Sequence, residues 1–211
     1  MPTHGQNAGV PSDIVPQPLP TPTSLQAPEV GTPAGQITLP IVGSLAYIWD
    51  RQRDEVLMIH RVARAEDDHY GKYNGLGGKL ERGESITENL RRELSEEANL
   101  AVTDARLRGT IAWPGFGPAG EDWLGFIFVI EGFVGDIPSA NPEGSLSWVD
   151  RSRLLGACSD DPVEREQAAL PMWEGDRYFL PLVFDDDPRP FHGVMPYHEG
   201  RPIGWRYERL P

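Results

Sequence analysis

The strongest local pattern in the chain is the sequence NGLGGKLERGESITENLRRELSEEANL at residues 74–100. Its first part is rich in glycine, which permits tight turns and close backbone approaches that a Cβ would block. Its second part predicts a short helix. Ser85, followed three residues later by Glu88, has the pattern of a capping box, and Asn99 tolerates the left-handed conformation that ends many helices. The stretch therefore predicts a glycine-rich turn that leads into a helix.

Three acidic residues lie on an unusual side of this helix. At about 100° per residue the apolar positions form one stripe. The stripe consists of Ile86, Leu90, Leu94 and Ala98. Glu93 and Glu97 fall in the same sector as this stripe, and Glu96 lies along its edge. Carboxylates that point toward a core are costly unless they are compensated, and repulsion at spacings of three and four residues adds to the cost.

A divalent cation would relieve both costs, because carboxylate oxygens are the ligands that Mg²⁺ or Mn²⁺ prefers. The alternative is an ordinary solvated charged face, which most charged runs are. The position of Glu93 and Glu97 beside the apolar stripe favours the metal site.

These residues resemble the Nudix box, Gly-x5-Glu-x7-Arg-Glu-U-x-Glu-Glu-x-Gly-U, where U is apolar. Here Gly78 and Glu84 are followed by the run RELSEEANL at residues 92–100, and the final glycine of the pattern is replaced by Asn99. Asparagine can adopt the same left-handed conformation, so the departure is mild. The resemblance implies an α+β fold, an α/β/α sandwich with a mixed sheet and a glycine-rich loop and helix that bind metal.

The resemblance also implies which residues do the chemistry. The metal ligands, for Mg²⁺ or Mn²⁺ in its place, would be Glu93, Glu96, Glu97 and the carbonyl of Gly78. Arg92 would orient a glutamate, and its alternative role is a surface pair with Glu88.

The general base is harder to assign from the sequence. A box glutamate is one option, and Glu143 is the option outside the box. The segment NPEGSLSWV at 141–149 resembles the acid-bearing loop of MutT-type members, although Glu143 is equally well explained as an ordinary loop acid. Glu121 and Asp122 are weaker candidates in a glycine-rich loop.

The resemblance extends from about residue 41 to residue 210 and is closest to purine 8-oxo-dGTP diphosphatases. The segment YNGLGGK at 73–79 resembles their base-contacting segment, and MWEGDRYFLPL at 172–182 resembles their second specificity segment. The substrate-binding residues implied are Asn74, Lys79, Trp173 and Asp176. Gly175 replaces the first of two consecutive acids in those relatives, and Trp173 could instead be a core aromatic.

The amino-acid composition limits the classes of molecule that this protein can bind. The chain has 211 residues and a formal net charge of −13, with a pI near 4.7. Such a surface repels nucleic-acid backbones and anionic membranes, and it is the Nudix resemblance that implies a small-molecule nucleotide as the partner. Cys158 is the single cysteine, with no motif around it, which excludes an intramolecular disulfide and suits a reducing compartment. Without a signal-peptide pattern or a long apolar run, we expect a cytoplasmic protein of undetermined oligomeric state.

Two segments are expected along the chain. Residues 1–35 are rich in proline and poor in large apolar residues, which predicts a disordered tail, or alternatively a docking peptide. Residues 36–211 should form the Nudix hydrolase domain. Gly43 is a candidate bulge in its first strand, residues 163–172 a weak helix, and residues 191–210 a terminal hairpin. Four histidines lack metal-ligand spacing and are interpreted as structural or exposed, namely His60, His69, His192 and His198.

Three functions remain open. The first is a Mg²⁺-dependent diphosphatase that converts a nucleoside triphosphate, such as 8-oxo-dGTP, to a monophosphate and pyrophosphate. Its role would be nucleotide-pool sanitation, the removal of damaged nucleotides. The second is a Nudix hydrolase of ADP-ribose, nucleotide sugars or dinucleoside polyphosphates. The third is a non-catalytic nucleotide-binding module, which the complete set of box residues disfavours.

Overall fold

The structure is a computed structural model that describes residues 39–66 and 69–209. The predicted proline-rich tail, 1–35, lies outside the described residues. Within the described part of the chain, no helix is long and apolar enough to cross a membrane.

A mixed sheet forms the middle layer. Its strands are β1 (Ile41–Asp50), β2 (Glu55–His60), β3 (Tyr73–Asn74), β4 (Ala101–Trp113), β5 (Trp123–Val134), β6 (Ala140–Asn141), β7 (Gly144–Asp150), β8 (Phe191–Val194) and β11 (Arg206–Arg209). Their order is β11-β8-β4-β5-β1-β2-β7-β6, with β3 beside β2. β1 runs parallel to β5, and β4 runs parallel to β8. A separate ribbon pairs β9 (Tyr197–His198) with β10 (Arg201–Pro202).

Helices cover both faces of this sheet. They are α1 (Ile86–Ala98), α2 (Arg151–Gly156), α3 (Pro162–Ala168) and α4 (Asp176–Val183). Along β1 the side chains alternate: Ala46 and Ile48 pack in the core that includes α1, and Tyr47 packs in the core that includes the other three helices. Each fully buried large apolar side chain contributes about 1.5–3 kcal/mol to folding. The α/β/α sandwich expected from the sequence is confirmed.

The glycine-rich turn fills a gap beside β1. One edge of β1 pairs with β5 from Ile41 to Ile48, whereas β2 pairs with the other edge only at its end, from Ile48 to Asp50. The turn occupies the open edge through backbone hydrogen bonds from Ala46 to Leu76 and back, at 2.6 and 2.9 Å. Because Gly77 has φ of +137° and a Cβ there would lie 2.9 Å from the Ser44 carbonyl carbon, this approach requires glycine.

Some details differ from the sequence-based expectations. Gly43 forms no bulge, because the β1–β5 register continues without a shift from Ile41 to Ile48. The helix expected over 163–172 ends at Ala168, where Ala169 turns left-handed with φ of +47°. Helices α2 and α4 were not predicted from the sequence. The terminal hairpin is confirmed over its described residues: β8 pairs with β11, and β9 and β10 flank a turn at Glu199 and Gly200 with φ of +49° and +74°.

Candidate active site

A cleft of about 1040 Å³ opens between the glycine-rich turn, the first strand and the loops at the ends of β4 and α3. Glu93 and Glu97 lie on one side of it, with Gly78 between them and the first strand. Trp173, Asp176 and an aromatic cluster also line this cleft. Its size is that of a small-molecule binding site.

Helix α1 is held at both ends as expected. Ser85 and Glu88 form the capping box in both directions, and Asn99 caps the C-terminus with φ of +55°. The acids therefore sit at determined positions on a rigid element. Rigid placement is what a site needs if its ligands are to keep their geometry.

Glu93 lies directly against the glycine-rich turn. A Cβ at Gly78 would be 2.6 Å from Glu93 Cδ, so only glycine leaves room for the carboxylate there. Burial raises the pKa of Glu93, and the neighbouring Arg92 opposes that change. The Gly78 carbonyl accepts a hydrogen bond from the Ser44 amide at 3.0 Å, which uses one of its two lone pairs.

Glu97 is the most perturbed acid of the helix. Its Oε2 accepts a hydrogen bond from the Gly77 amide at 2.8 Å. Burial raises the pKa of Glu97 to about 8, and the nearby charges of Glu143 and Glu93 act in the same direction. A carboxyl group of this kind needs positive charge beside it to stay ionised.

Glu96 is turned away from the cleft. Its side chain is 61% exposed, and it pairs with Arg92 at 3.2 Å. Within residues 39–66 and 69–209, no three acidic, histidine or cysteine side chains come together in a way that could hold an ion. The inclusion of Glu96 in a metal site therefore remains a prediction.

Arg92 connects the box residues to each other. Its Nε donates to Glu84 at 2.6 Å, its Nη1 lies 3.0 Å from Glu93, and its Nη2 donates to the Lys79 carbonyl at 3.2 Å. The hydrogen bond from Arg92 lowers the pKa of Glu84 to about 2. The alternative surface pair with Glu88 is wrong, because Glu88 is committed to the helix cap.

Glu143 lies in the cleft, paired with Arg61. Asn141 holds this loop: its Oδ1 accepts hydrogen bonds from the amides of Glu143 and Gly144 at 2.9 and 3.1 Å. The same side chain donates from Nδ2 to the Glu97 carbonyl at 3.1 Å. The Glu143 loop is thus tied to the end of α1. Glu121 and Asp122 instead bind backbone amides of their own loop, at Ala119 and Gly115.

The four residues expected to bind substrate all line this cleft. Trp173 is partly buried beside Phe116, with ring centroids 5.7 Å apart, and is therefore not simply a core residue. Burial raises the pKa of Asp176 to about 7, opposed by a hydrogen bond from the Trp173 backbone and by the charge of Lys72. The Lys79 ammonium lies 5.2 Å from the centroid of the Trp123 ring.

Several residues that line the cleft were given no functional role from the sequence, among them Arg61, His69, Phe116 and Trp123. Phe116 contacts four aromatic rings, and the Trp123 Nε1 atom is buried with no hydrogen-bond partner among the described residues. His69 bonds to Asn74 and Trp173. These residues lie in the connection between β2 and β3, in the loop after β4 and at the start of β5, and no local spacing relates the three places. The glycines around Phe116 were the one available signal.

Comparison with known proteins identifies the family of this chain. A family model described as NUDIX domain matches residues 40–182. The chain belongs to the Nudix family. It is a Nudix hydrolase, from a family that acts on phosphoanhydride bonds, and the resemblance carried by residues 74–100 is confirmed.

The relatives of this Nudix domain are moderately similar. An uncharacterized Nudix hydrolase of Bacillus subtilis is 26% identical over 146 residues, which cover 68% of this chain and 80% of that protein. An oxidized purine nucleoside triphosphate hydrolase of Danio rerio is 31% identical over 113 residues, 54% of this chain and 63% of that protein. The matching mouse protein of the same description is 27% identical over 114 residues.

Solved structures agree on the Nudix fold. A MutT protein from Bacillus halodurans superposes with a TM-score of 0.63 at 24% identity, covering 80% of this chain and 97% of that chain. A MutT Nudix hydrolase from Burkholderia pseudomallei gives 0.51 at 23% identity, with 69% and 98% covered. At these identities the similarity concerns the fold.

The Nudix box residues fit a divalent metal ion. The carboxylates of Glu93 and Glu97 both line the cleft, and hard oxygen ligands are those that Mg²⁺ or Mn²⁺ prefers. The space beside Gly78, which a Cβ would fill, holds the Glu93 carboxylate. A bound cation would also supply the positive charge that the buried Glu97 needs to ionise.

Proposed function

We propose that this Nudix hydrolase is a Mg²⁺-dependent nucleoside triphosphate diphosphatase that acts on oxidised purine nucleotides such as 8-oxo-dGTP. Water is added across the α–β phosphoanhydride bond, so that the products are the nucleoside monophosphate and pyrophosphate. The observation that carries the proposal is that Asn74, Trp173 and Asp176 share one cleft with Glu93 and Glu97.

The base would bind on the aromatic side of the cleft. Stacking of a base on an aromatic ring contributes about 1–3 kcal/mol and does not distinguish one base from another. Selectivity must therefore come from polar groups, here the carboxamide of Asn74 and the carboxyl group of Asp176. Because the pKa of Asp176 is raised to about 7, this group can donate or accept a proton near neutral pH.

The triphosphate would lie toward the box helix. Glu93, Glu97 and Glu96 would hold Mg²⁺ with the Gly78 carbonyl, and the ion, when bound, neutralises phosphate charge and lowers the pKa of a coordinated water. Arg92 holds Glu93 in position through the contact at 3.0 Å. Lys79, beside Gly78, would add positive charge in a strongly acidic protein.

The general base is proposed from the same geometry. Glu97 and Glu143 face the cleft and influence each other electrostatically. We assign Glu143 to the positioning or deprotonation of water, with Arg61 as its partner. The similarity to the Danio rerio protein described as an oxidized purine nucleoside triphosphate hydrolase supports the proposed substrate, not the choice of general base.

The test is a hydrolysis panel with 8-oxo-dGTP, the four ordinary triphosphates, ADP-ribose and a diadenosine polyphosphate, with and without Mg²⁺. Glu97→Gln serves as the inactive control. We expect the highest kcat/KM for 8-oxo-dGTP, with monophosphate and pyrophosphate as products and no turnover in the variant. Turnover limited to ADP-ribose or the dinucleotide would overturn the substrate assignment, and binding without any turnover would overturn the enzymatic one.

A further inference from the structure

One ring nitrogen in the cleft receives two hydrogen bonds. Nδ1 of His69 lies 2.9 Å from Nε1 of Trp173 and 3.1 Å from Nδ2 of Asn74. The His69 ring also meets the indole edge to face, at 5.3 Å between centroids and 82° between planes. His69 therefore contacts both a stacking residue and a polar residue of the proposed base pocket, and these two residues are 99 positions apart in the chain.

The chemistry of Trp173 determines the protonation of His69. An indole N–H is a donor only, so Nδ1 must be an acceptor and carries no proton. The remaining proton of the neutral ring is then on Nε2. Since Nδ1 accepts, the Asn74 atom that faces it must be the amide nitrogen. The orientation of the Asn74 carboxamide, which is otherwise hard to assign, thus follows from the indole.

We propose that His69 is a positioning residue of the base pocket, which as its Nε2–H tautomer holds Trp173 and orients the Asn74 carboxamide. This inference rests on the proposed function, because it concerns the same pocket. The same geometry also indicates which group of a base the pocket recognises. Oδ1 of Asn74 receives no hydrogen bond from residues 39–66 or 69–209, so it is the group that accepts one from a ligand. The base edge that faces Asn74 must therefore carry an N–H donor.

The role of His69 predicts a particular order among its variants. His69→Phe keeps a planar ring but removes the acceptor, so Trp173 and Asn74 each lose a partner. His69→Asn keeps an oxygen acceptor close to the position of Nδ1. A matched control is His192→Phe, because His192 also bonds through Nδ1, to Thr110 at 2.9 Å, but does not line the cleft.

The first measurement requires no substrate. ¹⁵N NMR of the ligand-free protein at pH 8 distinguishes a protonated from an unprotonated ring nitrogen, and the His69 signals are assigned by their loss in His69→Asn. We expect an unprotonated Nδ1 and a protonated Nε2. A protonated Nδ1 would overturn the proposal whatever the substrate is.

The second measurement separates positioning from folding. With whichever nucleotide is turned over, we expect His69→Phe to raise KM at least about tenfold while kcat stays within roughly twofold, since binding rather than chemistry is affected. His69→Asn should stay within about threefold of the wild-type KM, and His192→Phe should match wild type. Equal KM in wild type and His69→Phe would overturn the proposal. If 8-oxo-dGTP is inert but another nucleotide shows this order, the proposed substrate fails and the role of His69 stands.

Discussion

The Glu93 carboxylate occupies the space that a side chain at Gly78 would need. Glu93 comes from the box helix and Gly78 from the turn before it, and an added Cβ would approach Glu93 Cδ to 2.6 Å. The first glycine of the box is therefore required by an acid fifteen residues later in the chain.

Gly78→Ala tests this contact. Displacing Glu93 by about 1 Å should reduce kcat by roughly 10–100-fold, because small misplacements of site groups are costly. Steady-state kinetics with a Mg²⁺ titration measure the effect. Gly156→Ala is the matched control, since its Cβ would meet only the Ala168 Cβ at 3.8 Å. Wild-type activity in Gly78→Ala would show that catalysis does not depend on the observed position of the Glu93 carboxylate.

Glu97 and Glu96 should differ in importance. Glu97 lies in the cleft and bonds to the Gly77 amide, whereas the Glu96 side chain is 61% exposed. We expect Glu97→Gln to lower kcat by at least about 100-fold and Glu96→Gln by roughly tenfold. The comparison is made at saturating Mg²⁺ and substrate. Equal losses would mean that Glu96 turns inward when metal binds.

Arg92→Lys should impair activity although the charge is kept. Arg92 reaches Glu84, Glu93 and the Lys79 carbonyl through different nitrogens, and a single ammonium cannot reproduce this fork. A fall of about tenfold in kcat is expected, in the range found for residues that orient metal ligands. Arg91→Lys, on the exposed face of the same helix, should leave kcat unchanged. If Arg92→Lys kept the wild-type kcat, as Arg91→Lys is expected to, Arg92 would have no orienting role.

Asn141→Ala tests whether the Glu143 loop takes part in catalysis. Loss of the carboxamide frees the Glu143 amide and breaks the link to the Glu97 carbonyl. If Glu143 acts on water, Asn141→Ala and Glu143→Gln should both lower kcat by about 10–100-fold with smaller changes in KM. Unchanged kcat in both variants would return Glu143 to the status of an ordinary loop acid.

Asp176→Asn should change the pH dependence of stability. The pKa of Asp176 is about 7 in the folded protein against an ordinary value of 3.8, because burial disfavours the charged form. Between these values the folded state binds more protons than the unfolded state, so the free energy of unfolding falls as the pH rises from about 4 to about 7. Asparagine removes this penalty, which should make the variant more stable than wild type above pH 7 and similar near pH 4.

Urea unfolding at several pH values measures this effect. Asp160→Asn is a suitable control, since Asp160 is fully exposed and paired with Arg177. A stability difference that stays constant with pH, or that shrinks as pH rises, would contradict a raised pKa at Asp176.

The box helix and the family were predictable because their determinants are local. The capping box at Ser85 and Glu88 and the left-handed cap at Asn99 depend on neighbours within five residues. Strand β5, Trp123–Val134, is a long apolar and aromatic run, which is a strong local signal for a strand. The short helices α2 and α4 were not predicted because six and eight residues give little periodic signal.

By itself, the sequence determined the family, the box helix and the acids it carries, since spacing along one helix decides which residues share a face. Only the tertiary structure decided that Glu96 is exposed, that Arg92 joins Glu84 rather than Glu88, and that His69 meets Trp173 and Asn74. The contact of His69 with Trp173 joins two distant segments that meet where the Tyr73 amide donates a hydrogen bond to the Pro171 carbonyl at 2.7 Å. Such pairings depend on the packing of the whole sheet, and no pattern within a single segment encodes them.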